Sequence, residues 1–373
     1  MEKLNLAVLA GDGIGKDVME AVLPVFDKLN ININLNFGDI GWEQWKNEGN
    51  PIPERTWEII DKSDAILLGA TTSKPKEKAI LELNYNLKNH KLNYISPIIQ
   101  LRQRLKLFAN VRPVFSIPNN PCQISDNMNM VIIRENTEGL YAGLDFNPIP
   151  EDLKNFINKH KLSQSPWDLN NSEDGAVALR LITSKGIERI IRFAFEWAAD
   201  NNFSRVTWVD KPNVLRSSGQ FAINILNNIA KDYPNIDYEV LNVDATAMWM
   251  VRNPEHFGVI VSENQFGDIL SDLGAGLMGG LGLAPSANLG YSKSYFEPVH
   301  GSAPKHAGKD IVNPSAMFLT TALMLKQNGY EEEGKIIEKS VKDVITEGKF
   351  LTYDLNGTYS TTSVAKEIIR RCC

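Results

Sequence analysis

Two aspartates, Asp268 and Asp272, lie four residues apart in the segment QFGDILSDLGAGLMGGLGLAP, which is otherwise mostly apolar. In a helix this spacing places both carboxylates on one face, where like charges repel by roughly 0.2–0.5 kcal/mol. Burial of that face would add a much larger cost for each unpaired charge. The pair therefore requires a positive partner, and a divalent metal ion is the obvious candidate.

A third carboxylate and a lysine come after other strand-like runs. Asp244 lies at a predicted strand end in LNVDATAMWM, and with Asp268 and Asp272 it would form a set of hard oxygen ligands suited to Mg²⁺ or Mn²⁺. Lys211, in TWVDKPNVL, begins a loop after another predicted strand. There it is a desolvated base, a carboxylate partner or an ordinary solvated lysine.

Three arginines lie in or beside apolar runs, namely Arg102, Arg112 and Arg134. Guanidinium groups bind carboxylates through two parallel hydrogen bonds, so converging arginines would suit a substrate with two or three carboxylates. Taken singly, each is better explained by an ordinary salt bridge. Tyr141, in IIRENTEGLYAG, is a candidate proton donor or a half-buried packing residue.

Two glycine-containing segments bear on cofactor binding. The turn AGDGIGK, at residues 10–16, matches neither the dinucleotide fingerprint nor the P-loop, and is interpreted as a tight strand-to-helix turn. The later segment FEPVHGSAPKHAGKDIVNP combines small residues, which let the backbone approach a ligand closely, with His300, Lys305 and His306. Such a loop could hold a nucleotide, although the residues alone are a weak signal.

The composition is that of a globular protein. With 43% apolar and 23% charged residues in 373, the chain can form a large core. A net charge of −6 argues against a nucleic-acid groove, and no apolar run is long enough to span a membrane. Three cysteines provide no disulfide framework, which favours a cytoplasmic protein, and Cys372 and Cys373 are expected to be free thiols on a frayed end.

Strand-like and helix-like segments alternate along most of the chain, beginning LNLAVLA, GKDVMEAVLPVFDKLN and ININLNFG. This order predicts an α/β fold with a largely parallel sheet covered by helices. Residues 145–175 depart from it because they are polar and proline-rich with one short helical patch. They are interpreted as an excursion, either an arm or clasp or a plain surface loop.

The motifs LAVLAGDGIGK, LFANVRP, IIRENTEGLYAG, DKPNVL, VDATAM, NQFGDILSDLGAGLMGGLGLAP and FEPVHGSAPKHAGKDIVNP occur in an order that resembles the β-decarboxylating dehydrogenases. That family includes isocitrate, homoisocitrate and isopropylmalate dehydrogenases. The resemblance implies a two-domain fold without a Rossmann fingerprint. Residues 1–107 plus 279–373 would form a large cofactor-binding domain, and residues 108–278 a small domain that makes a homodimer.

The resemblance also implies roles for individual residues. Tyr141 would be the acid that protonates the product carbon, and Lys211 the general base, acting directly or through a relay. Lys211 and Asp244 would reach into the neighbouring subunit's site. The remaining implied sets are the metal ligands Asp244, Asp268 and Asp272; the substrate-binding residues Ser96, Ile98, Arg102, Arg112 and Arg134; and the cofactor-binding residues Thr72, His300, Gly301, Ser302, Ala303, Pro304, Lys305, His306, Asn313 and Tyr353.

Cofactor choice depends on the two residues after GSAP. NAD-dependent members usually carry Asp and Ile there, whereas Lys305 and His306 resemble the cation-aromatic pair of NADP-dependent isocitrate dehydrogenases. Tyr353 matches a further phosphate contact, but Gly357 stands where those enzymes have arginine. The expected cofactor is NADP, with NAD as the alternative.

Substrate choice depends on the segment SPIIQLR, which ends at Arg102 and most resembles homoisocitrate dehydrogenases. Ser96 can bond a distal carboxylate, while Ile98 and Ile99 favour a longer or branched chain. Isocitrate or homoisocitrate is therefore expected first, and isopropylmalate second, with tartrate or malate also in the family. A non-catalytic regulatory subunit is a further alternative, which retention of Tyr141 and Lys211 disfavours.

Overall fold

The computed structural model describes residues 3–161, 169 and 175–373. Numbered in chain order, the strands are β1 (Leu4–Gly11), β2 (Ile33–Phe37), β3 (Ala65–Ala70), β4 (Ala109–Phe115), β5 (Asn129–Glu135), β6 (Asp145–Phe146), β7 (Val177–Ala178), β8 (Arg205–Asp210), β9 (Asp237–Asn242), β10 (Val259–Ser262), β11 (Pro285–Leu289) and β12 (Ser294–Pro298). The helices are α1 (Ile14–Val22), α2 (Pro24–Lys28), α3 (Trp42–Glu48), α4 (Glu54–Lys62), α5 (Lys76–Leu81), α6 (Pro97–Arg104), α7 (Glu151–His160), α8 (Ser184–Asp200), α9 (Arg216–Ile229), α10 (Val243–Arg252), α11 (Asn264–Leu277), α12 (Ser315–Gln327), α13 (Glu331–Glu347) and α14 (Thr361–Arg371).

Within the described residues a ten-stranded sheet has the order β2-β1-β3-β12-β11-β4-β5-β10-β8-β9. Both flanks are parallel, and antiparallel pairing is confined to the centre, where β11 pairs with β12 and β4, and β4 pairs with β5. The predicted α/β class with a largely parallel sheet is confirmed. Strands from residues 1–107 and 279–373 fill one half, and strands from 108–278 the other. Assigning these halves to two domains stays a prediction.

The glycine turn after β1 is a structural turn, as predicted. Gly11 and Gly13 have φ of 77° and 54°, in the region that favours glycine. A Cβ on Gly13 would lie 2.0 Å from the carbonyl oxygen of Ser302. The turn therefore packs directly against the late HGSAP segment. The helical run after it divides into α1 and α2 at Pro24, which has no backbone N–H to donate.

The end of the chain differs from the expectation of a frayed terminus. Helix α14 packs on α1 and α13, and Cys372 is only 1% exposed with its thiol near the hydroxyl of Ser340. Val364 and Ile368 of α14 are buried in the same hydrophobic core, which holds the segment down. The three cysteines are free thiols, as expected, and of the terminal pair Cys373 is exposed.

The predicted excursion at 145–175 is described only in part. Strand β6 pairs antiparallel with β7 as a separate two-stranded sheet, and α7 lies between them in sequence. Residues 162–168 and 170–174 of the excursion lie outside the described ones. Across the described part of the chain, the helices fall short of the length and apolarity that a membrane crossing requires.

Candidate active site

The carboxyl ends of four parallel strands bring the predicted site residues to one edge of the sheet. Arg134 lies near the end of β5, where it is in register with Ser262 of β10. Lys211 directly follows β8, and Asp244 lies in the first turn of α10, two residues after β9 ends. Ligand sites in open α/β sheets lie outside this edge.

Helix α11 begins at this edge and presents the two aspartates. Its N-cap residue Glu263 accepts a hydrogen bond from the N–H of Phe266 at 3.2 Å, which satisfies one free donor of the first turn. The side chains of Asp268 and Asp272 are 34% and 62% exposed. Gly267 and Gly274 pack against β5 and β4, so the helix lies close to the strands that carry the arginines.

The positive partners of the two aspartates in this structure are guanidinium groups. Arg134 forms an ion pair with Asp268. Arg112 donates from Nη1 to Asp272 Oδ1 at 2.9 Å, and its Nη2 lies 3.8 Å from Asp268 Oδ1. Both arginines are buried, at 9% and 4% exposure for Arg112 and Arg134. The requirement for a positive partner is met by side chains of the same chain.

The three predicted substrate arginines converge. Burial, together with the like charges of Arg102 and Arg112, lowers the pKa of Arg134 to about 10, and Asp268 opposes this shift. The Nε of Arg102 is buried and has no hydrogen-bond partner within the described residues. A cluster of buried guanidinium groups with an unused donor is suited to an anionic ligand.

Tyr141 borders the same cluster. Its hydroxyl donates to Asp268 Oδ2 at 3.3 Å, and the Arg134 guanidinium lies 5.6 Å from the centre of its ring. Burial and the charge of Asp268 raise the pKa of Tyr141. The phenol therefore keeps its proton at neutral pH, as a proton donor must.

Lys211 and Asp244 form a separate pair. Their side chains make an ion pair that lowers the pKa of Asp244. The described residues contain no group of three His, Cys, Asp or Glu side chains placed to hold a metal ion. The chain brings Asp268 and Asp272 together, and it places Asp244 with Lys211 instead.

A cavity of about 220 Å³ adjoins the arginine cluster, and its lining includes Ile99, Arg102, Asn136, Tyr141 and Asn264. Ile99 is 47% exposed, whereas the predicted substrate contact Ile98 packs against the core around Leu101. Ser96 is the residue that precedes α6.

The side of α6 that faces the cavity is thus the Ile99 side, because residues that are neighbours in a helix point in different directions.

A larger cavity of about 770 Å³ between α1 and α14 is lined, within the described chain, by residues other than the predicted site residues.

The HGSAP loop is anchored to the glycine turn and to the end of β3. Ser302 accepts from the N–H of Ile14 at 2.8 Å through its carbonyl, and its hydroxyl lies 2.6 Å from that of Thr72. Gly301, Pro304 and Lys305 are exposed, and Ala303 has a φ of 33°. The loop is therefore rigidly placed with an open outer face.

Two histidines of this loop retain unused polar atoms. Nε2 of His300 and Nδ1 of His306 are buried without a hydrogen-bond partner in the described part of the chain. Burial lowers the pKa of His300, which keeps its imidazole neutral. The ring of His306 is stacked on that of Tyr353, with centroids 6.3 Å apart. These atoms are suited to a polar ligand such as a nucleotide.

Asn313 and Gly357 have structural constraints of their own. The amide of Asn313 donates to Asp354 at 3.0 Å and accepts from Ser315 N, which fixes the loop that carries Tyr353. A Cβ on Gly357 would lie 2.0 Å from the carbonyl oxygen of Leu351. This turn has no room for the arginine of the NADP-dependent pattern.

Two residues that bond to or beside predicted site residues were not identified from the sequence. The buried carboxylate of Asp12 accepts from the N–H of Thr72 at 2.8 Å and of Trp42 at 2.8 Å, which fixes Thr72 beside Ser302. Burial raises the pKa of Asp12. Arg180 donates to Asp210 at 2.9 Å, next to Lys211. An acid between two glycines was the available signal for Asp12.

Comparison with known proteins extends over the whole chain. The family model described as isocitrate/isopropylmalate dehydrogenase matches residues 5–369. Protein DlpA of Legionella pneumophila is 51% identical over 371 residues, covering 100% of this chain but 59% of DlpA. Homoisocitrate dehydrogenase of Methanocaldococcus jannaschii is 43% identical, covering 98% and 97% of the two chains. The crystal structure of isocitrate dehydrogenase from Methylococcus capsulatus has a TM-score of 0.84, 35% identity and 99% coverage of both chains.

Proposed function

Because the chain belongs to the isocitrate/isopropylmalate dehydrogenase family of β-decarboxylating dehydrogenases, we propose that it oxidatively decarboxylates a 3-substituted malate. The single observation that carries the proposal is the convergence of Arg102, Arg112 and Arg134 beside Tyr141. Three guanidinium groups match the carboxylates of such a substrate, and a protonated phenol lies next to them.

The chain's own groups supply the positioning and proton-transfer parts of the reaction. The arginines hold the substrate carboxylates, and Lys211 takes the proton of the substrate hydroxyl, directly or through a relay. Tyr141 then gives a proton to the carbon that has lost carbon dioxide. In this scheme the raised pKa of Tyr141 keeps its proton available until that step.

The donor set fits a divalent cation and the loop fits a nicotinamide nucleotide. Asp268 and Asp272 offer hard, partly exposed oxygens on one helix face, and the partner subunit would complete the site with Asp244 and Lys211. Thr72, residues 300–306, Asn313 and Tyr353 would hold the nucleotide. When bound, a cation at these oxygens would supply polarisation of the substrate's ketone oxygen, and a nicotinamide nucleotide would supply the hydride acceptor.

NADP is the proposed cofactor because Lys305 is exposed beside the His306–Tyr353 stack, where a 2′-phosphate would meet a positive charge. The absence of arginine at Gly357 keeps NAD as the alternative. Isocitrate or homoisocitrate is the preferred substrate, and isopropylmalate the second candidate because Ile99 offers an apolar wall to the cavity.

A homodimer with shared sites is supported by the surfaces of α10 and α11. Met248, Trp249 and Val251 of α10 are 48%, 43% and 44% exposed, and Ile269 of α11 is 56% exposed. A second copy of the chain would cover these side chains and bring its Asp244 to the site. An equal mixture of Asp268→Asn and Lys211→Met chains that is allowed to exchange subunits should recover about a quarter of the wild-type activity, because about half of the dimers are mixed and each mixed dimer has one intact site.

A substrate panel tests the proposal. Isocitrate, homoisocitrate, isopropylmalate and tartrate are each assayed with NADP and NAD, in Mg²⁺, Mn²⁺ or chelator, by nicotinamide absorbance. We expect metal-dependent reduction of NADP whose steady-state rate Tyr141→Phe lowers strongly. A higher kcat/KM with NAD would reverse the cofactor assignment. Silence of the purified protein with every substrate would favour the regulatory-subunit alternative.

A further inference from the structure

Three buried asparagines form a hydrogen-bonded cluster at the centre of the sheet, where β11 meets β4. Asn288 Oδ1 accepts from Asn110 Nδ2 at 3.0 Å and from Asn136 Nδ2 at 2.8 Å. Asn110 and Asn288 are 0% exposed and Asn136 is 6% exposed. Buried amides are costly unless they are hydrogen-bonded, so such a cluster specifies one arrangement of its members.

Charged groups at both ends determine which way each amide points. Arg112 donates from Nε to Asn110 Oδ1 at 2.7 Å, and arginine has no acceptor, so Asn110 must turn its oxygen to it. At the other end Asn288 Nδ2 donates to Glu297 Oε1 at 3.2 Å, and an ionised carboxylate only accepts. Only one orientation of Asn110 and Asn288 satisfies both ends.

The Glu297 end of this path leads to a second substrate arginine. The hydroxyl of Tyr295 donates to Glu297 Oε1 at 3.0 Å, and Arg102 lies against Tyr295 and Glu297. The hydrogen-bonded path therefore runs from Tyr295 and Glu297 on β12, beside which Arg102 of α6 is buried, through β11, to Arg112 on β4. It crosses the junction between the two halves of the sheet.

We propose that Asn288 is a positioning residue that couples Arg102 to Arg112 and so fixes their spacing for a polycarboxylate substrate. The inference rests on the proposed function, because both arginines are taken as substrate contacts. Two guanidinium groups that are already held at a fixed separation lose little conformational entropy when they bind two carboxylates. If either link is cut, each arginine must be ordered separately.

The replacement Asn288→Asp separates the two links. It keeps an oxygen that accepts from Asn110 and Asn136, and it replaces the donor to Glu297 with an acceptor. We expect the KM for the polycarboxylate to rise about tenfold, with kcat within about threefold and the KM for NADP unchanged. Asn120→Asp is the matched control, since Asn120 is 6% exposed and donates to Met278 O at 2.7 Å outside this path.

A double-mutant cycle reads the coupling itself. In the wild-type background the fold-changes in substrate dissociation constant caused by Arg102→Lys and by Arg112→Lys should not multiply in the double variant. In the Asn288→Asp background the two fold-changes should multiply. Calorimetric binding of the same polycarboxylate gives this answer even in protein without turnover. Failure of the reaction is thereby distinguished from failure of the coupling.

Three outcomes would overturn the role of Asn288. The first is a fall in Tm like that of Asn120→Asp with an unchanged polycarboxylate KM, which would mean that the amide serves stability alone. The second is independent, multiplying effects of the two arginine replacements in the wild-type background. The third is an equal loss of polycarboxylate and NADP affinity, which would contradict a specific link to the arginines.

Discussion

Replacing Arg180 with Met should destabilise the fold strongly, because it leaves two buried carboxylates without their positive partner. Arg180 Nη2 lies 2.9 Å from Asp210 Oδ1, and its Nε lies 3.9 Å from Glu263 Oε2. The side chains of Arg180, Asp210 and Glu263 are 12%, 0% and 2% exposed. Breaking a buried pair from one side costs about 3–5 kcal/mol, so we expect a loss of that size in the free energy of unfolding at neutral pH.

Glu263 sets the sign of the pH dependence. Burial already raises the pKa of Glu263 in the presence of Arg180, and removing the opposing guanidinium raises it further. A carboxyl group whose pKa is higher in the folded state binds a proton more readily in the folded state than in the unfolded state. The folded state therefore becomes more stable relative to the unfolded state as the pH falls towards the unfolded-state pKa near ~4.3. The deficit of Arg180→Met should therefore shrink as the pH is lowered from ~7.5 to ~5.5.

Urea unfolding of both proteins across that pH range measures the deficit. Arg192→Met is the matched control, because Arg192 pairs with Asp232 at 3.1 Å on the surface, with 39% and 58% of the side chains exposed. That control should lose no more than about 1 kcal/mol. A loss below that value for Arg180→Met, or a deficit that grows towards acid pH, would refute the reasoning.

Three further predictions concern activity. Tyr141→Phe should lower kcat by about 10²-fold or more with little change in substrate KM, measured by steady-state kinetics; an unchanged kcat would remove Tyr141 as the acid. Asp272→Asn should weaken Mn²⁺ binding by about tenfold or more in a calorimetric titration, with Asp232→Asn as the surface control; equal affinities would exclude Asp272 as a ligand. Lys305→Ala should lower kcat/KM for NADP by about tenfold and leave that for NAD unchanged, and a parallel loss with both would contradict a phosphate contact.

Local sequence patterns predicted most of the strands and helices because each pattern depends on residues that are adjacent in sequence. The apolar runs of β3 and β8 are almost wholly buried, so their strand character is visible in the residues themselves. The division at Pro24 results from its missing N–H. The burial of Cys372 was missed, because it depends on α14 packing against helices that are distant in sequence.

The Asp268–Asp272 pair shows where inference from the sequence stops. The four-residue spacing correctly requires a positive neighbour, but its identity depends on Arg112 and Arg134, which are 160 residues before Asp272 and 134 before Asp268. Only the register of β4 with β5, and the packing of α11 upon them, brings these charges together. The arginines and the aspartates were each predicted to serve a ligand, whereas in the chain alone each group satisfies the other. An anion that binds the arginines would leave the aspartates without their positive partners, and a cation that binds the aspartates would leave the arginines without their negative partners. Binding of the anion and binding of the cation are therefore complementary requirements of one site.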